Sequence, residues 1–276
     1  MVWASIPSPA NNTIDIGPLT IHFYGILIGL GVVVAAIVTQ RRYTKFGGDP
    51  SILDRVILWT VVIGFLGARI AYVSTHTARF QGRWYATLFI WEGGLALFGG
   101  LTGGALAAIY MMRKLDGDFT MFTDAVAVGL PLAQAIGRFG NYFNQELFGT
   151  PTTLPWGLEI APDRRPPEYV EFETFHPTFL YEALWNVLIT VPVILLLERR
   201  HKLAKGARFP IYMILYGTVR FLTELLRTDT TFRLLGLSRN GYVSIGAIIG
   251  GAVLLYIAQR RGVYYEDVTD EETVDA

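Results

Sequence analysis

Seven long apolar runs, separated by shorter polar segments, dominate the chain. They lie near Leu19–Thr39, Leu53–Ser74, Leu88–Met112, Met121–Gly137, Thr178–Leu197, Phe209–Leu226 and Gly241–Ala258. A helix needs about 20 mostly apolar residues to cross about 30 Å of hydrocarbon. The runs approach or exceed that length, the fourth and sixth being short. The pattern predicts an all-α integral membrane protein with seven transmembrane helices. The membrane domain is expected over residues 1–261. A small extracytoplasmic arm, residues 138–177, is inserted between the fourth and fifth spans, with short strands around Trp156–Ile160. Six prolines from Pro151 to Pro177 mark this arm. Residues 262–276 read as an acidic, disordered cytoplasmic tail rich in Asp and Glu.

The polar residues orient these spans. Lys and Arg collect on cytoplasmic loops. With the N-terminus outside, thirteen of them fall on inner segments and eight on outer ones, while Arg69 and Arg220 fall inside spans. This favours N-out, C-in. The first run has no basic leader and ends at Thr39-Gln40-Arg41-Arg42, so it reads as a span rather than a signal peptide.

Composition adds exclusions. Of 276 residues 52% are hydrophobic and 17% charged, with 23 basic against 23 acidic side chains. That balance offers no basic face, so no nucleic-acid partner is expected. With zero cysteines the chain has no disulfide, thiolate metal site or cysteine nucleophile. No His, Asp and Glu set has metal-ligand spacing, and neither metal nor cofactor is expected.

Charges at membrane depth are costly, so each one poses a functional question. Tyr216, Arg220, Glu224 and Arg227 follow one another at gaps of four, four and three, which puts them on one helix face. They read either as structural ion-pair glue or as an anion clamp, with Arg220 the fixed charge and Glu224 its orienting partner. A second cluster runs Gly137-Arg138-Phe139-Gly140-Asn141-Tyr142-Phe143-Asn144-Gln145-Glu146-Leu147-Phe148-Gly149. At helical spacing Arg138, Asn141 and Gln145 share one face. Amides, Arg and Glu among aromatics suit a polar head group at the membrane surface, although a loop leaving the membrane is also polar. A third is His176-Pro177-Thr178-Phe179-Leu180-Tyr181-Glu182, with His176 at a helix entrance and Glu182 facing a partner rather than lipid. The glycine-rich stretch from Gly93 to Gly104 lacks phosphate-loop spacing and reads first as close helix packing. Arg69 is expected to pair with Asp54, Glu92 or Asp124.

The thirteen residues from Gly137 to Gly149 closely resemble the signature of the bacterial phosphatidylglycerol–prolipoprotein diacylglyceryl transferase family. His22-Phe23-Tyr24-Gly25, Gly67-Ala68-Arg69, the Gly-Gly segment, His176-Pro177-Thr178 with Leu180-Tyr181-Glu182, and Tyr216-Gly217 with Arg220 and Glu224 complete the series in order. The likeness covers roughly residues 18–260. It implies seven spans in the plasma (inner) membrane with the N-terminus outside and the active site toward the outer leaflet. It implies transfer of a diacylglyceryl group from phosphatidylglycerol to the lipobox cysteine of a prolipoprotein signal peptide, with release of glycerol phosphate. Positions matching Tyr24, Arg138, Asn141, Gly149, Tyr216, Arg220 and Glu224 are tied in that family to activity or lipid binding. One position departs: many members carry a His where this chain has Phe98.

The expected catalytic residues are Arg138, Arg220, Tyr24, Glu224 and His176. Arg138, Asn141, Asn144, Glu146, Gly149, Tyr181, Tyr216 and Arg220 are expected to bind substrate. Arg138 and Arg220 would hold the phosphate, and Asn141 and Tyr24 would orient the head group. His176 and Glu146 both stand as candidates for the thiol's base. Two rivals remain open at this level: a transporter for an anionic solute, and a lipid-binding relative without catalysis.

Overall fold

The computed structural model describes residues 5–17, 19–89, 93–228 and 233–265. Trp91–Glu92 of the glycine-rich stretch and the acidic residues from Glu266 onward lie outside them. The chain forms two compact units, one of residues 1–39 and 123–265, the other of residues 40–122 and 266–276.

Among the described residues, six helices are long and apolar enough to cross a membrane: α1 (Phe23–Lys45), α2 (Pro50–Thr75), α4 (Phe119–Asn144), the pair α5–α6 (Thr178–Arg200), α7 (Arg208–Leu226) and α8 (Arg239–Arg261). The helix matching the third apolar run, α3, spans Leu97–Lys114. It starts nine residues later than the run, because residues 84–88 form a separate 3-10 turn. Large apolar side chains stay exposed on the helices, among them Leu58, Ile70, Leu188 and Ile249. Water would penalise such a surface and hydrocarbon would not.

In the smaller unit α2 and α3 pack along a glycine seam. A Cβ at Gly103 would lie 2.8 Å from the Ile63 carbonyl oxygen, and one at Gly67 would meet the Gly99 carbonyl oxygen at 2.5 Å. Only glycine permits that approach, so the Gly-rich stretch is here a packing device. Among the described residues Arg69 on α2 is bound by backbone carbonyls and not by Asp54 or Asp124, while Glu92 lies outside the described residues. Its Nε donates to the Thr87 carbonyl (2.7 Å), Nη1 to Gly93 (2.6 Å) and Gly94 (3.0 Å), and Nη2 to Ala86 (2.9 Å) and Phe89 (3.0 Å). One guanidinium thus ties down the carbonyls of a loop that has no ladder of its own.

The larger unit carries the polar clusters. A hairpin of β1 (Thr13–Ile16) and β2 (Leu19–His22) leads into α1, with Thr13 opposite His22. The arm holds β3 (Leu158–Glu159) paired antiparallel with β4 (Thr174–Phe175), as the sequence pattern suggests. Phe148, Leu158, Ile160, Phe175 and Phe179 form its small core. The hairpin β5 (Arg233–Leu234) and β6 (Leu237–Ser238) joins α7 to α8.

Two features aim the helices. Residues 186–190 between α5 (Thr178–Trp185) and α6 (Val191–Arg200) form a π turn. Pro192 follows it, lacks an N–H, and would clash with the carbonyl of Leu188 in a regular helix. The N-terminus of α7 is capped from another helix. Buried Asp124 of α4 accepts from the Gly206 N–H (2.6 Å), the Arg208 N–H (2.9 Å) and the Tyr265 hydroxyl (2.9 Å). This satisfies donors that a helix start leaves open and anchors one end of α7. The other end carries Arg220 and Glu224.

Candidate functional site

The fourth run was expected to end at Gly137, yet α4 continues to Asn144. Six polar or aromatic residues and Gly140, which look like a departing loop, are therefore helical. They remain so because protein groups satisfy their polar atoms. Phe139 packs edge-on and Tyr142 tilted against Phe179 of α5, with ring centroids 5.7 and 5.4 Å apart. The Trp185 Nε1 donates to the Leu215 carbonyl, 3.1 Å away, linking α5 to α7. Three helices thus bring their charged residues to one place.

Arg138 of α4 pairs through Nη2 with Glu182 Oε2. Arg220 of α7 approaches the same carboxylate, Nη1 to Oε1, at 3.5 Å. The Thr223 hydroxyl stands 3.0 Å from Glu182 Oε1. Glu182 is 1% exposed, so this contact between two arginines is shielded from water. Arg220 Nη2 also pairs with Glu224 Oε2 at 2.7 Å, as the four-residue spacing predicts. Glu224 is itself held: Ser238 Oγ donates to Oε1 over 2.6 Å, Asn240 Nδ2 lies 3.4 Å away, and Arg227 Nε stands 4.0 Å from Oε2. The Tyr216 hydroxyl is close enough to interact with the Arg138 guanidinium. Among the described residues, three arginines and two glutamates form one connected chain.

The expected head-group residues gather beside it. The Tyr24 ring lies against Gly140, where a Cβ would meet Cε2 at 2.8 Å. Its hydroxyl is close enough to feel the charges of both Glu146 and Arg138. Glu146 Oε1 accepts from Asn141 Nδ2 (2.9 Å) and Asn144 Nδ2 (3.2 Å). On either side of Glu146 the backbone is left-handed, with φ +49° at Gln145 and +58° at Leu147. Neither residue is glycine, so both positions carry strain, which persists only where neighbours over-determine it. Those neighbours are present. Gln145 Oε1 accepts from the Ala161 N–H (2.8 Å), and the Thr178 hydroxyl donates to the Leu147 carbonyl. Gln145 thus serves the arm and not the helix face of Arg138 and Asn141.

Gly149 is a junction. Its N–H donates to the His176 carbonyl over 2.9 Å, and it bridges to Arg227. A Cβ there would lie 2.8 Å from His176 Cβ and 3.0 Å from the Leu226 carbonyl oxygen. His176 is placed with the arm. The Tyr181 hydroxyl accepts from Trp156 Nε1 at 3.1 Å and lies 3.0 Å from His176 Nδ1. The hydroxyl still has its own proton and a second lone pair, so Nδ1 accepts from it or donates to it according to the imidazole tautomer. Burial also pushes the imidazole's proton affinity below that of an ordinary histidine. No described contact joins His176 or Tyr181 to the arginines.

Glu182 is the residue whose centrality the sequence does not disclose. Its position in an apolar helix calls for a partner, but nothing in the spacing says that the partner is a pair of arginines from two other helices.

The profile of the prolipoprotein diacylglyceryl transferase family matches residues 11–257. Named relatives agree with that match. A phosphatidylglycerol–prolipoprotein diacylglyceryl transferase of Frankia alni is 44% identical over 94% of this chain and 69% of its own length. One from Streptomyces coelicolor is 40% identical, over 97% of this chain and 85% of its own. One from Cutibacterium acnes is 41% identical, over 93% and 88%.

Proposed function

The chain belongs to the prolipoprotein diacylglyceryl transferase family, and from that premise we propose that it moves the diacylglyceryl group of phosphatidylglycerol to the lipobox cysteine of a prolipoprotein. A thioether forms and glycerol phosphate leaves. The observation that carries the reading is the convergence of Arg138 and Arg220, from separate helices, on one buried carboxylate.

The thiol sulfur attacks the glyceryl carbon. The carbon–oxygen bond breaks, and its electron pair goes to the departing phosphate oxygen. Charge therefore builds where the phosphate sits. Arg138 and Arg220 supply fixed positive charge there, in surroundings that need little rearrangement. Guanidinium geometry suits phosphate oxygens. The nucleophile belongs to the substrate, whose thiol has an ordinary pKa near 8.5. Fixed cations nearby favour its thiolate. Glu224 fixes Arg220, while Tyr24, Asn141, Asn144 and Glu146 line the place for the head-group hydroxyls. Of the two base candidates Glu146 is the better placed, because Nδ1 of His176 is taken by Tyr181.

In the membrane α3 is the seventh span; at 18 residues it reaches about 27 Å. The N-terminus faces out and the C-terminus in, so the arm and the arginine cluster lie toward the outer leaflet of the plasma (inner) membrane. The test is direct. Purified protein receives labelled phosphatidylglycerol and a lipobox peptide, with a Cys→Ser peptide as control. Thioether product with the cysteine peptide alone supports the reading. Solute flux across liposomes without lipid consumption, or lipid binding without product, would overturn it.

A further inference from the structure

Glu182 and Glu224 both touch Arg220, but they are held differently. Glu224 is anchored by the Ser238 hydroxyl, Asn240 and a 2.7 Å ion pair. Glu182 accepts one hydrogen bond, from the Thr223 hydroxyl to Oε1 at 3.0 Å, and is otherwise held by charge. Its Oε2 and the Nη1 of Arg220 are buried, and neither has a hydrogen-bond partner among the described residues, although each lies beside an opposite charge. A carboxylate fixed by incomplete contacts is exchangeable, whereas one with saturated contacts is not.

The proposed reaction creates a need for such a group. Phosphatidylglycerol presents a phosphodiester with one negative charge. Glycerol phosphate leaves as a monoester, whose second ionisation has a pKa near 6, and so carries nearly two charges at neutral pH. An arginine pair built for the phosphate therefore binds product more tightly than substrate. Unopposed, it would retain the product and slow the cycle.

We propose that Glu182 is a positioning residue that acts as the resident counter-anion of Arg138 and Arg220. It yields the two guanidinium groups to the lipid phosphate and competes for them again as glycerol phosphate departs. It makes and breaks no covalent bond. Its place on α5, between arginines from α4 and α7, keeps their like charges together while the site is empty. The inference rests on the transferase reading, and it assigns Glu182 a part in release that a merely structural ion pair would not have.

The test uses the full chain with Glu182→Gln and Glu182→Asp. Binding of glycerol 1-phosphate is measured by calorimetry, independently of turnover. Inhibition by glycerol 1-phosphate and the first-turnover time course follow with phosphatidylglycerol and a lipobox peptide. Glu182→Gln should bind and be inhibited by glycerol 1-phosphate about tenfold more tightly, the size of one charge-assisted contact. Its first turnover should stay fast while later ones slow, giving a burst. Glu182→Asp, whose carboxylate is drawn back by one methylene, should tighten binding about threefold, and it carries the test if the Gln variant does not fold. Unchanged or weaker glycerol 1-phosphate binding in the folded variants would overturn the proposal. A wild-type chain that makes no thioether would instead overturn the transferase reading, with the calorimetric comparison still deciding the role of Glu182.

Discussion

At the scale of single residues, Glu224 and His176 make the sharpest contrast. Glu224 holds Arg220 at 2.7 Å from a position 4% exposed, so neutralising it leaves a buried guanidinium short of a partner. Glu224→Gln should lower kcat/KM at least about tenfold, and Ser238→Ala, which removes one 2.6 Å bond to Glu224, should lower it less. Steady-state kinetics with phosphatidylglycerol checks both; a normal kcat/KM in Glu224→Gln would contradict the assignment. His176 belongs to the arm. Burial holds its proton affinity below the ordinary value of about 6.5. As pH falls, the unfolded or opened chain takes up the proton first. The stability His176 contributes is therefore present above about pH 6.5 and lost toward the depressed native value. Amide protection at Gly149 and Thr178, both bonded to the His176 carbonyl, should fall below about pH 6.5. His176→Gln should abolish that pH step, and protection unchanged down to pH 5 would contradict the account.

At the scale of elements, Gly149 shows how strands and helices lock the site. The Cβ of an alanine there would meet His176 and the Leu226 carbonyl at 3.0 Å or less. Gly149→Ala should cost about 1–3 kcal/mol of stability and separate the arm from the end of α7. Thermal unfolding with a parallel activity assay checks this; a variant of unchanged stability and activity would show that the junction is slack. The same element shows what the chain discloses. The membrane helices were legible because each needs a long apolar run, and no partner is required to see one. The Arg220–Glu224 pair was legible because it is local to one helix face. The end of α4 was not. Arg138 to Asn144 look like loop residues until Glu182, Tyr216 and Glu146 are known to receive them. The carbonyl acceptors of Arg69, on Ala86, Thr87, Phe89, Gly93 and Gly94, were hidden for a related reason: carbonyls leave no mark in a sequence. Glu182 was legible only as a residue that needed company.

For the whole molecule, the account commits to N-out, C-in and to α3 as a seventh span. The chain contains zero cysteines, so single introduced thiols report cleanly. In intact cells or right-side-out vesicles, a membrane-impermeant maleimide should label Asn11→Cys and Glu171→Cys. It should label Lys202→Cys only after permeabilisation; all three are exposed in the fold. Labelling of Lys202→Cys from outside would overturn the orientation.

The claim on which the mechanism turns is that Arg138 and Arg220 act together on one phosphate. The most direct measurement is the rate of thioether formation by purified Arg138→Ala and Arg220→Ala chains, with wild type alongside. Each substitution should slow the reaction by roughly 10- to 150-fold, the worth of one charge-assisted phosphate contact. Near-normal rates in both variants would contradict it.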